Sequence, residues 1–185
     1  MQRIGMGLIG AGLVGPQHVE AVRRLGFVDV VAVADDNKSA LPAAVKKTGA
    51  RKAYSDYREM LEKEKPDIVS ISQRWLDRHH EMVMAAVDLG CHVYMEKPFV
   101  RDLVQADEIV KACEMKHIKL AIAHGNRYSP QVAIARKLIA DGQIGQVLEL
   151  RARGKEDARR GGGCLLYTSD AADEGLGVDL GGRRI

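Results

Sequence analysis

Ile4-Gly5-Met6-Gly7-Leu8-Ile9-Gly10-Ala11-Gly12-Leu13-Val14-Gly15 is the stretch on which the fold of this chain turns. Ile4 to Ile9 reads as a strand, the three glycines as a turn, and Leu13 to Leu25 as the helix that follows. Strand, Gly-x-Gly-x-x-Gly turn and helix in that order form the context a dinucleotide fingerprint requires. Gly10 permits the tight turn, Gly12 lets backbone approach a pyrophosphate, and Gly15 lets helix and strand pack closely. The free N–H groups and dipole of a helix N-terminus then favour the phosphate charge. Asp35 closes the next β-branched run, 20 residues beyond Gly15, where a carboxylate accepts hydrogen bonds from the adenosine ribose hydroxyls. Gly10, Ala11, Gly12, Leu13, Val14, Gly15 and Asp35 are therefore candidate cofactor-binding residues, with NAD the expected cofactor. Asp36 adds negative charge and no arginine follows directly, which disfavours a 2′-phosphate, while Lys38 keeps NADP open. The plainer alternative makes the glycines an ordinary turn and Asp35 a helix cap.

Outward from that loop, apolar runs alternate with helix-period segments, which argues for βαβ units and a parallel sheet. Strands are expected at Val28 to Ala34, Ala53-Tyr54, Ile68 to Ser72, Cys91 to Met95 and Ile118 to Ala123. Helices are expected near Ala40 to Thr48, Asp56 to Lys63, Asp77 to Leu89, Asp102 to Lys116 and Pro130 to Asp141. Pro42 fits only a first helical turn, and Ser55 is the expected N-cap of its helix. Val147 to Ala152 reads as a strand outside the alternation. The fold class is thus α/β, a Rossmann-type doubly wound parallel sheet over residues 1–124. Residues 125–163 form a crossover and the truncated start of an α/β substrate domain.

Composition narrows the class. Of 185 residues, 46% are apolar and 29% charged, as in an ordinary soluble domain. A net charge of +3 is too mild and dispersed to argue for nucleic acid, and no apolar run reaches membrane-spanning length. The first residues run straight into a strand without a signal-peptide pattern, so a cytoplasmic location is expected. Cys91, Cys113 and Cys164 lack metal-type spacing and read as reduced thiols. The histidines give no metal site: His80-Glu81-Met82-Val83-Met84 carries Met84 where a second ligand belongs, adjacent His79 and His80 point to different helix faces, and His18, His92, His117 and His124 share no spacing. Met82, Met84, Met95 and Met115 read as core filler.

Glu96-Lys97-Pro98 lies at the end of the Cys91 to Met95 run, on a later strand of the same sheet. Here the chain resembles the Gfo/Idh/MocA family (glucose–fructose oxidoreductase, inositol 2-dehydrogenase, rhizopine catabolism) from Arg3 to Gly163. The resemblance is carried by the glycine loop, Asp35, His79, Glu96-Lys97-Pro98, Asn126-Arg127-Tyr128-Ser129-Pro130 and Leu138 to Val147. It implies an NAD-dependent oxidoreductase acting on a secondary alcohol of a sugar, polyol or inositol. Lys97 would be the catalytic residue facing nicotinamide and substrate hydroxyl, its ammonium stabilising negative charge on the alcohol oxygen. His79, Glu96 and Lys97 join the cofactor set, Pro98 fixes the lysine's backbone through a cis bond, and Asn126, Arg127 and Tyr128 become substrate-side candidates together with Lys97. Where the family usually reads Thr-Pro, this chain has Ser72-Gln73-Arg74-Trp75, whose backbone should still line the cofactor groove; Trp75 either stacks there or packs as a loop residue. An NAD-dependent glycosidase and an NAD-sensing regulator without chemistry are the alternatives.

The end of the chain changes character. Residues 164–185 back-translate, from Cys164 to Glu174 and from Val178 to Ile185, into two segments resembling a transposase sequencing adapter and its distal primer site. They read as a non-native, disordered tail. The family's histidine base, its aspartate and its usual oligomer surface would then fall beyond Gly163, leaving a chain that binds NAD but turns over little, cut from a homo-oligomeric parent.

Overall fold

The computed structural model of the chain describes residues 3–73 and 75–151. Its regular elements are β1 (Ile4–Ile9), α1 (Gly15–Arg23), β2 (Val28–Ala34), α2 (Leu41–Thr48), β3 (Lys52–Tyr54), α3 (Tyr57–Glu64) and β4 (Ile68–Ile71). They continue with α4 (His79–Asp88), β5 (His92–Met95), α5 (Leu103–Met115), β6 (Leu120–Ile122) and α6 (Pro130–Ala140). The sheet has six strands in the order β3-β2-β1-β4-β5-β6, all parallel. Strand order reverses between β1 and β4, and in a doubly wound sheet ligands bind outside the carboxyl ends of the strands at that point.

Both faces of the sheet are covered, as a parallel sheet requires. Met6, Leu8, Val30 and Val33 pack with Val19 of α1 and Ala44 of α2 on one side. Ile9, Val69, Ile71, Val93 and Met95 pack with Met60, Leu61, Met82, Val83 and Ile109 of α3, α4 and α5 on the other. The β1–β2 pairing jumps from Met6↔Val30 to Gly7↔Ala32, a bulge that restores the register of Val33 and Ala34 with their own faces. Of the methionines expected in the core, Met82 and Met95 are buried and Met84 packs against the core. Met115 is 76% exposed, because it ends α5 and points away from the sheet's cover.

The caps explain two boundary differences. Asp56, not Ser55, caps α3: its side chain accepts from the Arg58 N–H, and the longer reach of a carboxylate serves a helix starting one residue later than expected. Asp102 caps α5 in the same way through the Gln105 N–H, and Pro42 sits in the first turn of α2 as expected. Residues 147–151 form no strand, against the expectation of one from Val147, since an extended segment without a ladder partner is not a strand. The chain divides into two compact units with the boundary between Ile134 and Ala135. In the second, Lys137 pairs with Asp141 at 2.7 Å before the left-handed Gly142. Residues 164–185, read as a non-native tail, and Ala152 lie outside the described residues.

Three carboxylates tie the outer elements together and set an acid limit on stability. The Lys52 ammonium, 2.8 Å away, and the Tyr54 hydroxyl hold the Glu64 carboxyl below its ordinary 4.5; the same contact pushes Tyr54 up to about 12. Arg78 does likewise for Glu81, and Arg3 with Arg51 for Asp29, whose ordinary value is 3.8. A depressed folded-state value means stability that is present above the ordinary carboxylate range and lost as pH falls through the folded values. The urea midpoint is therefore expected to hold between neutrality and about pH 5 and to drop progressively below about pH 4. A midpoint independent of pH down to 3 would contradict these pairings.

Candidate functional site

The loop after β1 is built on close backbone contact. Gly10 has φ +88, and a Cβ there would lie 2.9 Å from the Gln73 nitrogen, so the ends of β1 and β4 meet where only glycine fits. Ser72 fastens the junction: its N–H donates to Ile9 O at 2.8 Å, and its hydroxyl donates to Gly10 O at 2.5 Å. A Cβ on Gly15 would stand 2.4 Å from Gly10 O and 2.7 Å from Ser72 Oγ, whereas one on Gly12 would meet nothing within 4 Å. The two glycines thus differ: Gly15 is filled from within the protein, and Gly12 faces open space. Leu13 is exposed and Val14 half-buried beside it.

α1 starts at Gly15 with no side-chain cap and no acidic residue in its first turn. Pro16 has no N–H, and the Gln17 and His18 N–H groups turn back to Val14 O, so in the first turn the Gly15 N–H is the one without a hydrogen bond among the described residues. Asp35 follows β2 and accepts from two main-chain donors, Ala11 N–H to Oδ2 at 2.8 Å and Asn37 N–H to Oδ1 at 2.9 Å. The acid ties the end of β2 to the glycine loop. A pocket opens beside it, lined by Gly10, Asp35, Asp56, Arg58, Gln73 and Arg78 among others. Arg78 lies 3.4 Å from Asp36 and 2.8 Å from Glu81. The guanidiniums of Arg58 and Arg78 lie 4.7 Å and 5.7 Å from the centre of the Tyr57 ring.

The lysine end of the site is held from below. Glu96 N–H donates to Ile71 O at 2.8 Å, locking the end of β5 to that of β4. The Glu96 side chain meets His18 Nε2 at 2.9 Å, and His18 Nδ1 lies 2.8 Å from Ser70 Oγ. Tyr94 packs edge-on to the His18 ring at 4.8 Å; burial, then the Glu96 charge, push its hydroxyl up. The Lys97–Pro98 bond is cis, as the family resemblance implied. Lys97 itself is exposed and makes no hydrogen bond or ion pair among the described residues.

His79, the first residue of α4, is buried. Its Nδ1 lies 2.9 Å from Pro98 O and its Nε2 2.9 Å from Gln73 O. Both ring nitrogens thus face main-chain carbonyls, and what His79 gives the groove is the position of the loops it joins. Trp75 is 58% exposed in the loop after β4; Arg74 lies outside the described residues. Asn126, Arg127 and Tyr128 occupy an exposed 3-10 turn, Gly125–Tyr128, after β6, the neighbour of β5. Among the described residues, no group of three His, Cys, Asp or Glu side chains is placed to hold a metal ion, and no helix is long and apolar enough to cross a membrane.

His18 is the site residue that sequence reasoning passed over. Two signals could have found it. It falls one helical turn after Gly15, on the α1 face that carries buried Gly15 and Val19. Ser70 is a polar residue inside the buried run of β4, and a buried hydroxyl calls for a partner.

Comparison with known proteins agrees with the geometry. Residues 4–124 match the Gfo/Idh/MocA family, an oxidoreductase family with an NAD-binding Rossmann fold. The chain is 30% identical over 145 residues to D-apiose dehydrogenase of Paraburkholderia graminis, a match covering 78% of this chain and 38% of that protein. It is 26% identical over 153 residues to myo-inositol 2-dehydrogenase of Thermotoga maritima, covering 83% and 46% respectively. The crystal structure of an NAD-binding oxidoreductase from Klebsiella pneumoniae superposes with a TM-score of 0.71 at 34% identity, over 77% of this chain and 40% of that one. The chain thus spans less than half the length of each. With strand order, glycine loop and lysine strand in agreement, the chain belongs to the Gfo/Idh/MocA family of oxidoreductases and carries its NAD-binding Rossmann fold.

Proposed function

We propose that this chain is the cofactor-binding part of an NAD-dependent dehydrogenase that oxidises a secondary alcohol on a sugar, polyol or inositol. The observation that carries the proposal is one juxtaposition. An uncapped helix N-terminus behind open Gly12, and an exposed, unpaired lysine at the end of β5, share the carboxyl edge of one sheet.

The residues fit a dinucleotide. Gly12 to Gly15 present backbone N–H groups to a pyrophosphate across the space that Gly12 leaves empty, those of Gly10 and Ala11 being engaged by Ala34 O and Asp35. Asp35, with lone pairs beyond those engaged by Ala11 and Asn37, accepts from ribose hydroxyls. The paired negative charge of Asp35 and Asp36 opposes a 2′-phosphate, and Arg78 is already engaged by Asp36 and Glu81. Ser72 and Gln73 line the groove through their backbone, and Trp75 offers a ring at its mouth. Nicotinamide, when bound, supplies the hydride acceptor. Lys97 donates a hydrogen bond to the substrate hydroxyl oxygen and stabilises its negative charge as the C–H bond breaks. Asn126, Arg127 and Tyr128, on the exposed turn after β6, are the residues we assign to the remaining substrate hydroxyls. A base to take the hydroxyl proton is supplied by the part of the parent protein outside this chain.

Calorimetric titration of the 185-residue chain with NAD+ and NADP+ is the test. NAD+ is expected to bind at least tenfold more tightly than NADP+, and Asp35→Ala to weaken NAD+ by roughly tenfold to a hundredfold, the loss of one or two charge-assisted hydrogen bonds. Myo-inositol or apiose added to the NAD+-loaded chain should yield no sustained reduced cofactor. Equal affinity for NADP+, or turnover at the rate of a full-length dehydrogenase, would overturn the proposal.

A further inference from the structure

Among the described residues Lys97 makes no hydrogen bond or ion pair, so its position is set by its neighbours in the chain. Both neighbours are held by buried imidazoles from different helices. On the preceding side, His18 of α1 is 8% exposed and meets Glu96 Oε1 at 2.9 Å. A carboxylate only accepts, so the Nε2 proton is donated to Glu96, and Nδ1 takes the hydroxyl hydrogen of Ser70, 2.8 Å away on β4. Glu96 is thereby fixed twice, by its side chain to His18 and by its N–H to Ile71 O. On the following side, His79 of α4 is 1% exposed, with Nδ1 2.9 Å from Pro98 O and 3.2 Å from Phe99 O. With the ring hydrogen on Nδ1, that nitrogen donates to Pro98 O, and Nε2 lies 2.9 Å from Gln73 O in the loop after β4.

We infer that His18 and His79 are positioning residues for Lys97, His18 gripping the residue before it and His79 the residues after it. A long side chain on a loose loop loses rotamer freedom when it engages a substrate, whereas a fixed backbone on both sides confines it beforehand. Displacements near 1 Å are large on the scale at which such groups act. The inference rests on Lys97 facing the nicotinamide, and the experiment separates the two claims.

The readout is the ratio of dissociation constants for NAD+ and NADH. NAD+ carries a positive ring and NADH does not, so a nearby ammonium weakens NAD+ selectively; a unit charge about 6 Å away at an effective dielectric near 60 changes the ratio about fivefold. Partial unfolding of a variant weakens both forms equally and cancels. Lys97→Met should move the ratio about fivefold in favour of NAD+. An asparagine amide reaches where Nδ1 stood and a glutamine amide where Nε2 stood. At position 18, Gln therefore keeps the Glu96 bond and Asn loses it; at position 79, Asn keeps the Pro98 bond and Gln loses it.

His18→Asn and His79→Gln are expected to shift the ratio about twofold to threefold in the direction of Lys97→Met, while His18→Gln and His79→Asn stay at the wild-type value. A merely structural role would not reverse the order of the two amides between the positions. If Lys97→Met moves the ratio and the paired variants at each position behave alike, the positioning role is overturned and the cofactor reading stands. A wild-type chain binding neither form, or a ratio indifferent to Lys97→Met, overturns the underlying reading and the inference with it.

Discussion

Gly15→Ala is expected to damage both stability and cofactor binding, because the new methyl has nowhere to go. Its Cβ would lie 2.4 Å from Gly10 O and 2.7 Å from Ser72 Oγ, and the nearer atom is backbone. Either α1 shifts away from the sheet or the Gly10 turn opens. Overpacking of this kind costs about 1–3 kcal/mol, and the upper part of that range is expected where the obstacle is main chain. The same shift carries the Gly15 N–H and the loop N–H groups just before it off the proposed pyrophosphate position. Losing alignment of one or two charge-assisted bonds, each about 1.5–3 kcal/mol, weakens NAD+ by roughly a hundredfold.

Gly12→Ala supplies the contrast that makes this result interpretable. No atom lies within 4 Å of a Cβ there, so the folded chain accommodates the methyl with a stability change within about 0.5 kcal/mol. The methyl instead occupies the approach that a pyrophosphate needs, so NAD+ should weaken comparably without loss of stability. Urea denaturation and calorimetry on the two variants decide the matter. A stable, tightly binding Gly15→Ala chain would be incompatible with the packing of this loop, and a tightly binding Gly12→Ala chain with its role as phosphate cradle.

Much of this was legible in the sequence because the signals were local. The glycine spacing, the alternation of apolar runs with helical periodicity, and Gly49, Gly90 and Gly142 as stops fix the order of the elements before any tertiary contact is considered. Asp35 and Lys97 stood out as candidates, Asp35 from its spacing to the glycines and Lys97 from the family resemblance, and both follow strands whose ends collect at one edge of a parallel sheet. What escaped was set by contacts between residues far apart in sequence. His18 looked like one of several unrelated histidines until β4 and β5 brought Ser70 and Glu96 to it. His79 was assigned to the cofactor by resemblance, and only the fold shows its nitrogens against the carbonyls of Gln73 and Pro98. The choice of Asp56 over Ser55 as a cap depends on which side chain reaches the Arg58 N–H, a matter of one residue that pattern alone does not resolve. For Val147 the apolar pattern asked for a strand, but a strand also needs an edge to pair with.

In the full-length protein, Lys97→Met is expected to lower kcat roughly a thousandfold, the scale of losing a preorganised donor to a developing oxyanion, while leaving the cofactor dissociation constant within about tenfold. The asymmetry follows from where the lysine stands. In the proposed site the phosphates and ribose meet the glycine loop after β1 and Asp35 after β2, whereas Lys97 follows β5 beyond the switch point. Its removal takes nothing from that grip and relieves a like charge beside the oxidised nicotinamide. Lys97→Arg keeps the charge but replaces a compact ammonium with a planar fork of different reach, so it should recover only part of the loss. Steady-state rates with a polyol substrate, read alongside cofactor titrations of the same variants, distinguish the outcomes. A variant that loses affinity and rate together would make Lys97 a cofactor anchor. One that keeps its kcat would remove the lysine from the chemistry altogether and turn attention to Asn126, Arg127 and Tyr128 on the neighbouring strand end.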